Sequence, residues 1–277
     1  MISFTKAHAC GNDFLIVGEQ AAASEDHAAL TRRLCNRNSG IGADGVEFFA
    51  WKNQSGPGVR SGRICLFNAD GSAAEISGNG TRCVAAWMAE SLGSRPGDTL
   101  EIETGAGVRV CRIESVRTDQ GFSVEVTAGM GVPKFGPHTL KLIDGVEIVG
   151  VEVSTGNPHF VVLVENPDFS VARRTWTTLG AEICVHRDFP QHTNVEFVRV
   201  AGDHEIEIRI FERGVGPTNS SGTGSSAAAT AALALRRCTS PLAVVAPGGA
   251  QTVAWSGPGT QLNLSGPAAL IARGEAW

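Results

Sequence analysis

The sequence of 277 residues lacks the features that mark several large classes of protein. It has no apolar run long enough to span a bilayer, and a strand-like pattern begins at residues 1–4, without the basic and apolar segments of a signal peptide. The net charge is −5, and like charges form no blocks that would favour nucleic acid or an anionic membrane surface. We therefore expect a cytoplasmic protein with neither nucleic-acid nor membrane partners.

Signatures of metal, disulfide and hydrolase chemistry are also missing. The cysteines are odd in number, are scattered, and form no CxxC pair, so neither a zinc site nor a disulfide framework is predicted. The histidines show no HExxH spacing, and the chain contains neither a GxSxG elbow nor a phosphate-binding GxxxxGK[ST] motif. We expect no metal site.

Glycine is abundant, with 34 residues that cluster with Asn, Asp, Ser and Thr in turn-like segments. This pattern is typical of many β-strands joined by tight turns. Alternating β-branched segments predict strands at 107–113, 122–127, 147–153, 160–164, 205–211 and 242–245. Helices are predicted at 22–37, 80–92, 169–184 and 224–237, of which the second and fourth are rich in alanine and suited to tight packing.

The two halves of the chain repeat one another. In each half an Arg-Ile strand precedes a Ser-Gly-x-Gly loop and an alanine-rich helix, and a shift of 144 residues lays Ser77 on Ser221. A third match, in the same order, pairs GNDF at 11–14 with GNPHF at 156–160. We interpret the chain as two copies of one architecture.

The Ser-Gly-x-Gly loops are the predicted binding elements. Each leaves backbone N–H groups unpaired at the start of a helix, where an anion such as a carboxylate can bind. A single loop of this kind is more often a plain turn. Two loops related by a pseudo-twofold axis would instead direct both helix starts into one cleft.

Polar side chains concentrate around both loops, although each has an ordinary structural explanation. Asn68 and Asp70 could build a turn, Glu212 and Arg213 could form an exposed ion pair, and His159 could be a satisfied core histidine. Their joint placement beside two loops favours a functional site. The residues are Asn68, Asp70, Glu75, Ser77 and Asn79 in the first half, and His159, Asn194, Glu212, Arg213, Ser221 and Thr223 in the second.

Taken together, these segments resemble the diaminopimelate epimerases, in the family's order and across most of the chain. The matching segments are GNDF at 11–14, GIGADG at 40–45, NADGS at 68–72, SGNGTRC at 77–83, GNPH at 156–159, TNVEF at 193–197, ERGVG at 212–216 and SGTG at 221–224. The resemblance implies an α+β fold of two pseudo-symmetric domains, each a curved, mostly antiparallel sheet wrapped around a central helix. We place the domains at 1–122 and 123–264, with a strand at 265–277 as a candidate to return to the first.

The resemblance also implies the chemistry. Such enzymes invert an amino-acid α-carbon without pyridoxal phosphate or metal, using two cysteines at the positions that Ser77 and Ser221 occupy here. His159 and Glu212 match groups that polarise this pair. The residues that match the substrate-binding set are Asn12, Asn68, Gly78, Asn79, Asn157, Asn194, Arg213, Gly222 and Thr223. The implied partner is a small amino-acid substrate, no cofactor is expected, and a homodimer is an option because family members are often dimers.

The two serines are the main departure from the family pattern. A cysteine thiol has a pKa of about 8.5, whereas a serine hydroxyl is closer to water, at about 15.7. Serine is therefore a far weaker base near neutral pH. We expect epimerisation of LL- to meso-2,6-diaminopimelate, a step toward lysine and peptidoglycan precursors, to be impaired or altered.

Three origins of the serines remain open: an engineered pair, natural divergence, or a natural epimerase that tolerates serine. Pro217, where the family typically has an acidic residue, favours divergence, because an engineered cysteine pair would not explain it. The alternative functions are an isomerase or dehydratase acting on a related amino acid, and a non-catalytic amino-acid-binding protein.

Overall fold

A computed structural model describes residues 1–52 and 60–277. Contacts divide the chain into two compact units. The first contains Met1–Gly129 together with Ser265–Trp277, and the second contains Met130–Leu264. The chain therefore returns to the first unit after completing the second.

The first unit is a sheet that closes on itself. Its strands are β1 (Ile2–Ala9), β2 (Asn12–Gly18), β3 (Gly45–Trp51), β4 (Arg60–Asn68), β5 (Ala73–Ala74), β6 (Thr99–Thr104), β7 (Gly107–Arg117), β8 (Ser123–Gly131) and, from Ser265 onward, β17 (Leu262–Ala276). Pairing runs β1–β2–β3–β4–β6–β7–β8–β17 and returns to β1. Leaving aside β8–β17, these pairings are antiparallel except for β2–β3 and β4–β6, which are parallel.

One helix, α2 (Gly78–Leu92), packs against β1, β2, β6 and β7. Eleven of its fifteen residues are buried, and small residues such as Gly80, Ala85 and Ala86 are among them. Small side chains let a helix approach strands on several sides at once. This explains the alanine-rich sequence and places the helix at the centre of its unit.

The second unit repeats this plan. Its strands are β9 (Lys134–Lys141), β10 (Glu147–Ser154), β11 (Pro158–Val164), β12 (Asn194–Gly202), β13 (Glu205–Glu212), β14 (Gly216–Thr218), β15 (Leu242–Ala246) and β16 (Gly249–Ala254). Helix α4 (Gly222–Ala234) packs against β10, β11, β12, β13, β15 and β16. As in the first unit, eleven residues of the central helix are buried.

The predicted duplication appears in the strand pairings. β2–β3 and β11–β12 are both parallel, β3–β4 and β12–β13 are both antiparallel, and β4–β6 and β13–β15 are both parallel. Each Ser-Gly-x-Gly loop leads into the central helix of its own unit. The predicted fold class, α+β with a curved sheet around a central helix in each half, is confirmed.

Two predicted helices begin too early. The prediction at 22–37 covers the end of a short 3₁₀ turn (Glu19–Ala22) and the helix α1 (His27–Cys35), which Asp26 caps by accepting from two backbone N–H groups. The prediction at 169–184 is wrong over its first half, because Phe169, Ala172 and Arg173 have positive φ. The helix α3 (Trp176–Cys184) begins only after the Thr175 cap.

The longest of the described helices, α2, has 15 residues. Within residues 1–52 and 60–277, no helix combines the length and the apolar character needed to cross a membrane.

The packing between β10 and β11 supplies a test of the second unit. A β-carbon on Gly150 would lie 2.4 Å from Cζ of the buried Phe160 and 2.7 Å from the Val161 carbonyl oxygen. We expect Gly150→Ala to lower the free energy of unfolding by about 1–3 kcal/mol, because a packed interior accommodates an added methyl poorly. Urea unfolding measures this difference.

Gly136→Ala is the matched control on the neighbouring strand β9, since a β-carbon there meets no atom within 4 Å. Equal effects of the two substitutions would contradict the packing described at Gly150.

Candidate active site

The first Ser-Gly-x-Gly loop forms the N-terminus of α2. Ser77 is the N-cap residue, and its Oγ accepts a hydrogen bond of 3.0 Å from the Gly80 N–H. Gly78 and Asn79 follow as the first helical residues and are buried. The first turn of a helix leaves N–H groups without helical partners, so this loop has the character of an anion site.

A series of side-chain hydrogen bonds fixes the position of this loop. The fully buried Arg82 donates to Asn79 Oδ1 at 2.7 Å, Asn79 Nδ2 donates to Asn12 Oδ1 at 3.1 Å, and Asn12 Nδ2 donates to Asp44 Oδ2 at 2.6 Å. Two predicted substrate-binding residues, Asn12 and Asn79, are therefore in direct contact. Arg82 also donates to the Gly78 carbonyl oxygen at 3.4 Å.

Asp44, the last member of this hydrogen-bond network, belongs to a charged cluster. Arg37 Nη2 lies 2.7 Å from Asp44 Oδ1 and 2.7 Å from Asp13 Oδ1, and Lys6 Nζ lies 3.0 Å from Asp13 Oδ2. Burial raises the pKa of Asp13, but the hydrogen bonds and charges of Arg37 and Lys6 outweigh it and hold that pKa below its usual value. Asp13 is therefore held in its ionised form, with its charge balanced by Arg37 and Lys6.

Glu47 also lies against the first loop, but among the described residues it takes part in no hydrogen-bond network. It is in the middle of β3 with no exposed surface, and neither carboxyl oxygen has a hydrogen-bond partner among the described residues. Burial raises its pKa to about 8. The side chain is therefore mostly protonated at neutral pH.

The second Ser-Gly-x-Gly loop begins α4 in the same way. Ser221 is the N-cap residue and accepts 3.1 Å from the Gly224 N–H. Its Oγ also lies 3.4 Å from Thr223 Oγ1. Ser221 is buried, whereas Ser77 is only partly buried, so the two loops differ in their exposure to solvent.

A buried histidine–carboxylate pair supports this second loop. His159 Nδ1 lies 2.8 Å from Glu196 Oε1, and both side chains are fully buried. His159 Nε2 lies 2.9 Å from Asn157 Oδ1, and Asn157 Nδ2 donates to Thr223 Oγ1 at 3.4 Å. An amide oxygen only accepts, so Nε2 donates in the contact with Asn157, while a hydrogen carried by either Nδ1 or Glu196 lies between those two groups. Burial raises the pKa of Glu196, and His159 partly offsets this.

The remaining predicted residues of the second half lie at the ends of strands. Asn194 begins β12, donates to the Pro158 carbonyl oxygen at 2.9 Å, and accepts 3.0 Å from the Arg213 N–H. The Arg213 guanidinium reaches the Gln191 carbonyl oxygen at 3.1 Å. Glu212 is the last residue of β13 and pairs with Gly216 of β14. The described carboxylate partner of His159 is thus Glu196, which the sequence analysis did not single out.

Asn68 and Asp70 occupy the turn that follows β4. Asn68 Nδ2 donates to Ser72 Oγ at 3.0 Å, and Asp70 Oδ1 accepts from the Ser72 N–H at 2.8 Å, so both side chains build the turn. The turn nevertheless lies beside the first loop's network, because the Ala69 N–H donates 3.0 Å to the Asp44 carbonyl oxygen. The predicted substrate-binding role of Asn68 stays a prediction.

The sequence analysis missed four buried or bridging residues: Asp44, Glu47, Arg82 and Glu196. A signal for two of them exists, since Val-Glu-Phe occurs at 46–48 and again at 195–197, at the same place in each half. Arg82 gave no such signal, because arginine in a helix is usually solvated.

The buried Glu47 predicts a distinctive dependence of stability on pH. Its folded pKa lies above the unfolded value, so stability is lost as the pH rises from about 4.5 toward 8. We expect Glu47→Gln to remove this loss. The free energy of unfolding of the variant should exceed that of the unsubstituted protein by a margin that grows by about 3 kcal/mol between pH 5 and pH 7.5. Urea unfolding at a series of pH values measures the slope.

Glu147→Gln, at an exposed position of β10, is the matched control. A gain that does not change with pH would contradict the burial of Glu47 in a protonated form.

Comparison with known proteins extends over the whole chain. The family model for diaminopimelate epimerase matches residues 4–135 and 151–271. Diaminopimelate epimerases of Pseudomonas aeruginosa and Desulforudis audaxviator are 33% and 36% identical to this chain, each over 99% of both proteins. One from Nostoc sp. is 35% identical over the same share.

Solved structures share the fold at low sequence identity. A hydroxyproline epimerase from Agrobacterium vitis aligns over 99% of this chain and 90% of its own, with a TM-score of 0.67 and 19% identity. A phenazine biosynthesis protein from Bacillus anthracis aligns over 100% and 99%, with a TM-score of 0.69 and 16% identity. Together with the full-length sequence matches, these findings establish that the chain belongs to the diaminopimelate epimerase family, a family of isomerases.

Proposed function

We propose that this protein is a cofactor-independent epimerase acting on an amino acid of the diaminopimelate type, with Ser77 and Ser221 as its two proton-transfer residues. The observation that carries the proposal is the serine at the start of each buried central helix. In both cases the hydroxyl sits at a cap where unpaired N–H groups favour a negative charge. An epimerase needs this at its substrate, because removing the α-proton spreads negative charge onto the α-carboxylate.

The residues of the proposed site fall into two groups by their chemistry. The backbone N–H groups of Gly78, Asn79, Gly222 and Thr223 suit the reacting α-carboxylate. Asn12, Asn68, Asn157, Asn194 and Arg213 offer amides and a guanidinium, which suit a second amino-acid end. Arg213 is the natural partner for a distal carboxylate, since a guanidinium can form two parallel hydrogen bonds with it.

The hydrogen-bond chain behind Ser221 favours a weakened rather than an ordinary epimerase. His159 is separated from Ser221 by the Asn157 amide and the Thr223 hydroxyl, and its Nε2 donates toward the amide. An amide in that position passes on polarisation but does not accept the serine's proton. Within the described residues, the hydrogen bonds of Ser221 thus lead to a hydroxyl and an amide, and not directly to a base of the kind that makes a serine nucleophilic in other enzymes.

Two alternative functions share one observation in their favour. They are binding without turnover, and catalysis by proton donation to a leaving hydroxyl. Both serine oxygens already accept an N–H from the helix they cap. Accepting a hydrogen bond polarises the hydroxyl, so that it donates its own proton more readily. A dehydratase or double-bond isomerase would use such a donor, and a binding protein would need only the cradle.

Deuterium exchange at the α-carbon distinguishes these functions. We expect slow wash-in of deuterium from D₂O into LL- and meso-diaminopimelate, and an increase of at least about a hundredfold in the Ser77→Cys, Ser221→Cys double variant. The reason is that a thiolate is available near neutral pH and an alkoxide is not. Mass spectrometry of the recovered amino acid measures the exchange.

Calorimetric binding of diaminopimelate is the control, because the double variant must be folded and must bind its substrate. A folded variant that binds diaminopimelate without any exchange would sink the epimerase and favour the two alternatives. A variant that neither exchanges nor binds diaminopimelate would mean that the substrate is a different molecule.

A further inference from the structure

Glu47 and Glu196 occupy the same position in the two units. Each lies two residues beyond the first paired position of its strand, since Gly45 pairs with Phe14 and Asn194 pairs with His159. Both carboxyl groups are fully buried. In the second unit the carboxyl has a histidine partner, whereas neither oxygen of Glu47 has a partner among the described residues.

Each carboxyl lies against the fourth residue, the second glycine, of the neighbouring Ser-Gly-x-Gly loop. A β-carbon on Gly80 would be 2.1 Å from Glu47 Oε1 and 3.2 Å from Ser77 Cβ. In the second unit, a β-carbon on Gly224 would be 2.8 Å from Glu196 Oε1 and 3.2 Å from Ser221 Oγ. In both units the carboxyl and the serine therefore border the same methyl-sized space.

Among the described residues, no charged group compensates the burial of the Glu47 carboxyl. Its neighbours in register on β2 and β4 are the buried Ile16 and Leu66. From α2 the nearby titratable group is the Cys83 thiol, whose pKa is raised by its own burial and to a lesser degree by the charge of Glu47. Such an environment disfavours a carboxylate, so the glutamate costs stability where a leucine would not.

We propose that Glu47 acts through Ser77, as the residue that takes up the serine's hydroxyl proton when Ser77 receives an α-proton from the substrate. In this step the Cα–H bond breaks and its electron pair stays on the substrate. Ser77 Oγ gains the α-proton, while its original hydroxyl proton moves to the Glu47 carboxylate. One negative charge passes from Glu47 to the substrate, and no other reactant is needed. The proposal rests on the epimerase function proposed above.

The acidity of Glu47 suits this role. A general base works best when its pKa is close to the operating pH, and burial brings the pKa of Glu47 to about 8. This value is close to that of a free thiol, about 8.5, and far from that of a hydroxyl. Glu47 thus supplies near Ser77 the proton affinity that the serine lacks. This role accounts for the presence of a buried carboxyl that destabilises the fold.

The first test uses the two faces of the reaction. In a Ser221→Cys background, residue 77 remains a serine backed by Glu47, and each face removes the α-proton of one stereoisomer. We expect Glu47→Gln to slow deuterium wash-in at least about tenfold for one α-carbon configuration, and to leave the other nearly unchanged. In the parent, the sensitive exchange should also rise with pH toward 8, and the substitution should abolish that rise. Equal slowing of both configurations would overturn the proposal, since a purely structural role affects both.

The second test does not require turnover. The thiol introduced by Ser77→Cys can be alkylated over a range of pH, and its modification can be measured by peptide mass spectrometry. We expect Glu47→Gln to move this alkylation profile to lower pH by roughly one unit, because a neighbouring carboxylate opposes the thiolate. The thiol introduced by Ser221→Cys is the control and should not respond.

The two tests separate the proposals from each other. If the profile at residue 77 does not move, Glu47 is not coupled to Ser77 and the inference is wrong, whatever the enzyme's activity. If no variant exchanges an α-proton, the epimerase function is wrong, and with it the transfer step, although a shifted profile would still establish the contact between carboxyl and loop.

Discussion

The interaction on which both units depend is the serine cap at the start of a buried helix. A helix packed among strands on several sides brings its first turn into the interior, where the unpaired N–H groups would each cost free energy. Ser77 and Ser221 each satisfy one of these groups with a side-chain oxygen. The glycines that follow leave room for the strands, and the remaining N–H groups give each loop its affinity for an anion.

The same requirement shapes the strands next to each loop. Because the fourth loop position is glycine, a side chain from the adjacent strand can approach the helix backbone closely. In both units that side chain is a glutamate, and in both it is fully buried. The scaffold is duplicated but the chemistry is not, since the strand position that carries His159 in the second unit carries Phe14 in the first. The two buried glutamates therefore differ in their surroundings: Glu196 contacts His159, whereas Glu47 has no hydrogen-bond partner among the described residues.

Sequence reasoning reached the scaffold more completely than the site. The repeated Ser-Gly-x-Gly segments located the start of each central helix to within two residues, because capping and alanine content are local properties. It failed at the start of α3, where residues with positive φ interrupt a pattern that looks helical. It overlooked Glu47 and Glu196 because one polar residue in an apolar strand resembles the solvent face of an alternating pattern. Only the duplication of Val-Glu-Phe distinguishes the two cases. Glu212 was assigned from the family resemblance, and its role stays a prediction.

The closing of the first unit's sheet has a consequence for how the protein is made. Ile2 of β1 pairs with Ala276 of β17, at opposite ends of the chain. As a ribosome releases the polypeptide, β1 emerges before the second unit, and its partner β17 emerges only after that unit. The second unit is continuous in sequence and can mature during synthesis, whereas the first has an open edge on β1 until β17 has been made. An unpaired strand edge invites association with other chains, so the interval before β17 arrives is when this protein is most exposed to misassembly.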